Sequence, residues 1–136
     1  MLQITNATIH TPGRVIPRGS VVIDGSRIVA AGAAGDVPAA SGATVINAGG
    51  MILVPGFIDL QLNGAFGHDF TADPAAIWRV AAGLPRYGVT AFLPTIITSP
   101  LERVEAGMQV VRDGQPRDFR GAAPLGSARY GLEVSG

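Results

Sequence analysis

The sequence predicts an α/β protein, with an all-β N-terminal segment followed by β/α units of a parallel sheet. Three observations carry this reading. Short β-type runs punctuated by glycine fill residues 1–54. After Pro55 the pattern becomes strand, helix, strand, helix, strand, the βαβ order of a parallel sheet with right-handed crossovers. Only 15% of the 136 residues are charged, and mean hydropathy is +0.34. Strands buried on both faces explain so apolar a chain, and so does a piece of a larger enzyme that exposes what its remainder covers.

In the first segment, Leu2, Ile4 and Ile9 open a strand. Ser20–Asp24 and Arg27–Ala31 flank Gly25-Ser26 as a hairpin, because glycine tolerates the positive φ of a tight turn. Residues 35–42 read as a loop, and Thr44–Asn47 and Met51–Val54 as short strands around Gly49-Gly50. Such spacing suggests a small sandwich or its edge.

Phe57–Leu62 reads as a buried strand, and residues 64–70 as a loop. Asp73 is a candidate N-cap with Pro74 at the first helical position. Ile77, Val80, Ala81 and Leu84 form an apolar helical stripe, which Pro85 limits and Gly88 closes. Val89–Leu93 is the next strand, with Pro94-Thr95 and Ile96–Thr98 beyond it. Ser99-Pro100-Leu101-Glu102 has the form of a capping box. It precedes the stripe of Leu101, Val104, Met108 and Val111, and Gly114 ends that helix. Residues 122–126 open a third strand of the parallel sheet.

Composition excludes several classes of function. Ten basic and ten acidic residues balance, so no basic face for nucleic acid is implied. The longest apolar run, Met51–Val54, is far short of a membrane span. The chain start lacks a basic region followed by an apolar core, so it does not read as a signal peptide. The cytoplasm is the default compartment. With no cysteine, disulfides and thiolate metal sites are ruled out.

The chemistry-bearing stretch is Val54-Pro55-Gly56-Phe57-Ile58-Asp59-Leu60-Gln61-Leu62-Asn63-Gly64. Gln61 and Asn63, two residues apart, share one strand face at the C-terminal end. In parallel α/β proteins that end is where chemistry is usually done. Asp59 reads as a structural strand carboxylate. His68 reads as a solvated or hydrogen-bonded side chain rather than a metal ligand, and His10 as a residue beside a turn. Gly64 and Gly67 read as turn glycines rather than a phosphate cradle.

These residues resemble the amidohydrolase superfamily. Val22–Ile28, Pro55–Asp59 and Gly88–Thr95 match its N-terminal pattern in order. Gln61-Leu62-Asn63-Gly64 together with Leu93-Pro94-Thr95 is similar to the N-acetylglucosamine-6-phosphate deacetylase family within it. The resemblance covers residues 1–126. It implies a β-sandwich segment over residues 1–54, and over 55–136 the start of a metal-dependent (β/α)8, or TIM, barrel that is incomplete here. Most of the superfamily carries His-x-His where Gln61 and Asn63 stand. Neutral amides are poor Zn²⁺ ligands, so the resemblance implies one divalent metal, zinc, held by a Glu and two later His residues. The family's Gly-Leu-His-Leu-Glu-Gly-Pro-like segment falls on residues 124–136. An ungapped register puts Tyr130 at the metal-binding Glu position, and Glu133 fits only with an insertion.

The resemblance further implies hydrolysis of the acetamide of an amino-sugar phosphate, with a parent protein that is a homodimer. Gln61 and Asn63 would line the site. The family's catalytic base would lie beyond residue 136. The chain alone is expected to be an inactive N-terminal piece. A different amidohydrolase specificity, or a non-catalytic β-rich module completed by a partner chain, remain the alternatives.

Overall fold

The computed structural model describes residues 1–126, 128 and 129. Contacts divide the chain into two units, Met1–Pro55 and Gly56–Gly136.

The first unit is one five-stranded sheet. β1 (Leu2–Thr11), β2 (Arg14–Asp24) and β3 (Arg27–Ala33) form an antiparallel meander. β4 (Thr44–Asn47) and β5 (Ile52–Leu53) add in parallel to the free edge of β1. The hairpin at Gly25-Ser26 forms where the sequence predicts it, with Gly25 at φ +56°. β2 starts earlier than its apolar run suggested, because a turn with Gly13 at φ +96° folds Arg14 directly back onto Thr11. Ala7, Ile9, Ile16, Val21 and Ala48 form the core. The buried Gln3 amide binds the Ser20 hydroxyl at 3.1 Å and accepts the Ala40 N–H at 3.0 Å, pinning the 35–43 loop. The second layer of a sandwich is not found among this unit's described residues.

The second unit is a parallel sheet built on one central strand. β6 (Phe57–Leu62) pairs in parallel with one side of β9 (Val89–Ile96). β10 (Ala123–Pro124) and β11 (Ala128–Arg129) pair in parallel with the other. Two helices connect these strands, α1 (Ile77–Gly83) and α2 (Leu101–Arg112). The predicted stripe of Ile77, Val80, Ala81 and Leu84 is buried against Phe70, Phe92 and Ile96. Gly88 closes the first helical segment in the left-handed region, φ +80°, and donates to the Pro85 carbonyl.

Local details depart from the sequence reading. The 64–70 loop contains a small hairpin, β7 (Gly64–Ala65) and β8 (His68–Asp69). Its turn residues Phe66 and Gly67 both have positive φ, +55° and +80°, as a type I′ turn requires. Asp73 caps no helical N–H, and its carboxylate pairs instead with Arg79 at 2.6 Å. The chain enters α1 through a 3₁₀ turn, Pro74–Ala76. The capping box does not form: Pro100 occupies the cap position without a side-chain bond. β9 continues through Pro94 to Ile96. The α2 stripe is only half-buried, and Leu101 is 55% exposed. The residue α2 buries fully is Gly107, which lies on Ile96. Among the described residues, no helix is long and apolar enough to cross a membrane.

Candidate functional site at the C-terminal ends of β6 and β9

Pairing between β6 and β9 decides where the two amides stand. The register runs Ile58 to Ala91, Asp59 to Phe92, then Leu62 to Pro94. Three steps along β6 therefore match two along β9, so β6 carries a bulge of one residue between Asp59 and Leu62. Paired residues of neighbouring strands share a face. Leu62 thus lies on the face of Phe92 and Pro94, and it packs against the core there. Gln61 and Asn63 flank Leu62 and take the opposite face, with Leu93 and Thr95.

Gln61 is exposed and Asn63 half-buried. Asp59 Oδ1 accepts the Gln61 backbone N–H at 3.0 Å, inside the bulge. The Asn63 carbonyl accepts the Phe70 N–H at 2.9 Å, which starts the following hairpin. Thr71 ties that loop to the exit of β9. Its hydroxyl accepts the Ile97 N–H at 3.2 Å, and its carbonyl accepts from Arg103 at 3.2 Å. Thr95, fully buried, bonds the Leu93 carbonyl at 3.1 Å. The Asp59 bond was detectable in principle from its offset of two residues from Gln61. The roles of Thr71 and Thr95 depend on neighbours distant in sequence and left no local signal.

The remaining candidates do not join this cluster. His68 sits in β8 opposite Ala65, and His10 in β1 opposite Val15. Gly67 serves the hairpin turn. Gly64 is needed for close approach, since a Cβ there would collide with the His68 carbonyl oxygen. Glu133 lies outside the described residues. Among the described residues, no three His, Cys, Asp or Glu side chains come together in a way that could hold a metal ion. Amide side chains do not substitute for such a set. What the arrangement offers is a pair of neutral hydrogen-bonding groups, each both donor and acceptor, at the C-terminal end of a strand in a parallel sheet.

Comparison with known proteins gives a consistent picture. The chain is 50% identical over 58 residues to the N-acetylglucosamine-6-phosphate deacetylase of Bos taurus, covering 40% of this chain and 14% of that protein. It is 34% identical over 116 residues to the enzyme of the same name from Haemophilus influenzae, covering 81% and 29%. The crystal structure of N-acetylglucosamine-6-phosphate deacetylase from Pasteurella multocida superposes with a TM-score of 0.75 at 32% identity, over 96% of this chain and 34% of that one. No family model matches. The matched part spans less than a third of each of these curated relatives.

Proposed function

We propose that this chain, which matches the N-terminal part of the N-acetylglucosamine-6-phosphate deacetylases of the amidohydrolase superfamily, supplies the first β/α units of an enzyme that deacetylates an amino-sugar phosphate. In that reaction water adds to the acetamide carbonyl, the C–N bond breaks, and acetate and a free amine leave. The observation that supports this reading is the amide pair Gln61 and Asn63 on one face at the C-terminal end of β6, in a parallel sheet. Their side chains suit the binding and orientation of a polar sugar or its acetamide.

The finer parts of the proposal follow from the resemblance. Residues 1–54 belong to a β-sandwich, and 55–136 to an eight-stranded barrel. The whole protein is a cytoplasmic homodimer. A divalent metal, zinc, supplies polarisation of the carbonyl. The described residues do not fit that metal, and Glu133 is the ligand proposed within this chain. Zinc sites generally need at least three protein ligands, so the 136-residue chain alone is inactive.

A chimera tests the proposal. Residues 1–126 replace the matching segment of the Haemophilus influenzae enzyme, and acetate release from N-acetylglucosamine-6-phosphate is measured. The chimera is expected to turn over, and the isolated chain with added Zn²⁺ is not. Gln61→Ala with Asn63→Ala in the chimera is expected to lower kcat/KM by about tenfold or more, the scale of lost hydrogen bonds. A folded chimera without turnover, or an unaffected double variant, overturns the assignment.

A further inference from the structure

We propose that Asp59 is a positioning residue: its carboxylate holds the β6 bulge that turns Gln61 and Asn63 onto the site face. The inference deepens the functional reading above and rests on it for the importance of those two amides. The geometry itself stands on the pairing register.

A strand without the bulge would continue one-to-one from Asp59 opposite Phe92. Gln61 would then oppose Pro94 and Leu62 would oppose Thr95. A slip of one residue moves every later side chain to the other face. Gln61 would enter the apolar layer occupied by Phe70, Ile77 and Phe92, and Leu62 would leave it. The extra residue prevents this, but it also removes an N–H from the regular ladder. A backbone donor left without a partner is unfavourable. Asp59 Oδ1 takes the Gln61 N–H at 3.0 Å. The bond is charge-assisted and closes a local Asx-type loop, which favours the bulged backbone over the slipped one. The residue that secures the site amides is thus two positions upstream of the first of them and acts on them through the backbone.

The test uses the 136-residue chain and NMR, without ligand. In the wild type, the Gln61 backbone amide is expected to be protected from exchange. The Gln61 and Asn63 side-chain amides are expected to show nuclear Overhauser contacts to Leu93 or Thr95 and none to the Phe92 ring. In Asp59→Ala the Gln61 amide is expected to exchange about tenfold faster, and the contacts to Leu93 and Thr95 to disappear. Asp59→Asn keeps an acceptor oxygen and is expected to restore both readouts, which a general loss of stability would not do. Unchanged protection or unchanged contacts in Asp59→Ala overturn the proposal. Should Asp59→Ala not fold, Gln61 decides: exchange as fast as an open peptide in the wild type overturns it, and protection kept in Asp59→Asn supports it. No acetamide enters these measurements, so they fail or succeed independently of the chimera.

Discussion

Gly64 has a structural task that its place beside two amides obscures. Its φ is +154°, and any Cβ would run into the His68 carbonyl oxygen across the small hairpin. Backbone oxygen has no rotamer in which to retreat. Gly64→Ala is therefore expected to cost about 2–3 kcal/mol, read as a lower denaturant midpoint. Phe66 shows the opposite arrangement, a large residue held at φ +55°. Its ring stacks on Tyr87 with centroids 5.7 Å apart and lies over Gly83, where a side chain would displace it. The contacts of the aromatic ring offset the unfavourable backbone.

At the scale of elements, helices were legible from their periodicity and their C-terminal ends from Gly88 and Gly114, while their N-terminal caps were not. The stripe of α1 is buried as its spacing requires, because periodicity reports which face meets the core. Asp73 and Ser99 have the chemistry of caps, yet Asp73 meets Arg79 and Ser99 Oγ is buried without a bond. Cap preference is worth about 1 kcal/mol, small enough for a nearby ion pair or chain direction to override. α2 approaches β9 through Gly107, where a Cβ would sit 2.8 Å from Ile96 Cδ1. Gly107→Ala gains about 1 kcal/mol of helix propensity and loses about 1–3 kcal/mol to overpacking. A net loss of stability is expected. Ile96→Ala, by removing both Cδ1 and Cγ1, each 2.8 Å from that Cβ, is expected to make the Gly107→Ala change less costly. A double-mutant cycle measured by chemical denaturation checks this, and strict additivity would contradict the contact.

At the scale of the whole molecule, apolar surface is left open within each unit. In the second unit, β6 has β9 on one side and no strand on the other among the described residues. Along it Phe57, Ile58 and Leu60 are 60%, 56% and 68% exposed. In the first unit Ile28, Val45 and Ile52 are exposed on the sheet. An open, apolar strand edge is a template for pairing. The purified chain is expected to self-associate with rising concentration in sedimentation velocity. Adding a charge at the edge by Leu60→Lys is expected to reduce it. A monomer at all concentrations would contradict this account.

The β-rich first segment, the βαβ order after Pro55 and the identity of the two amides are all readable from the chain's residues, because these follow from period, turn chemistry and motif. So is the common face of Gln61 and Asn63, since their spacing of two survives the local irregularity. Which face that is was decided only by tertiary structure. The bulge between Asp59 and Leu62, the second of two irregularities in the pairing of β6 with β9, sends Leu62 inward and the amides outward. A strand read alone has two equivalent sides, and only the neighbour to which it bonds makes them different.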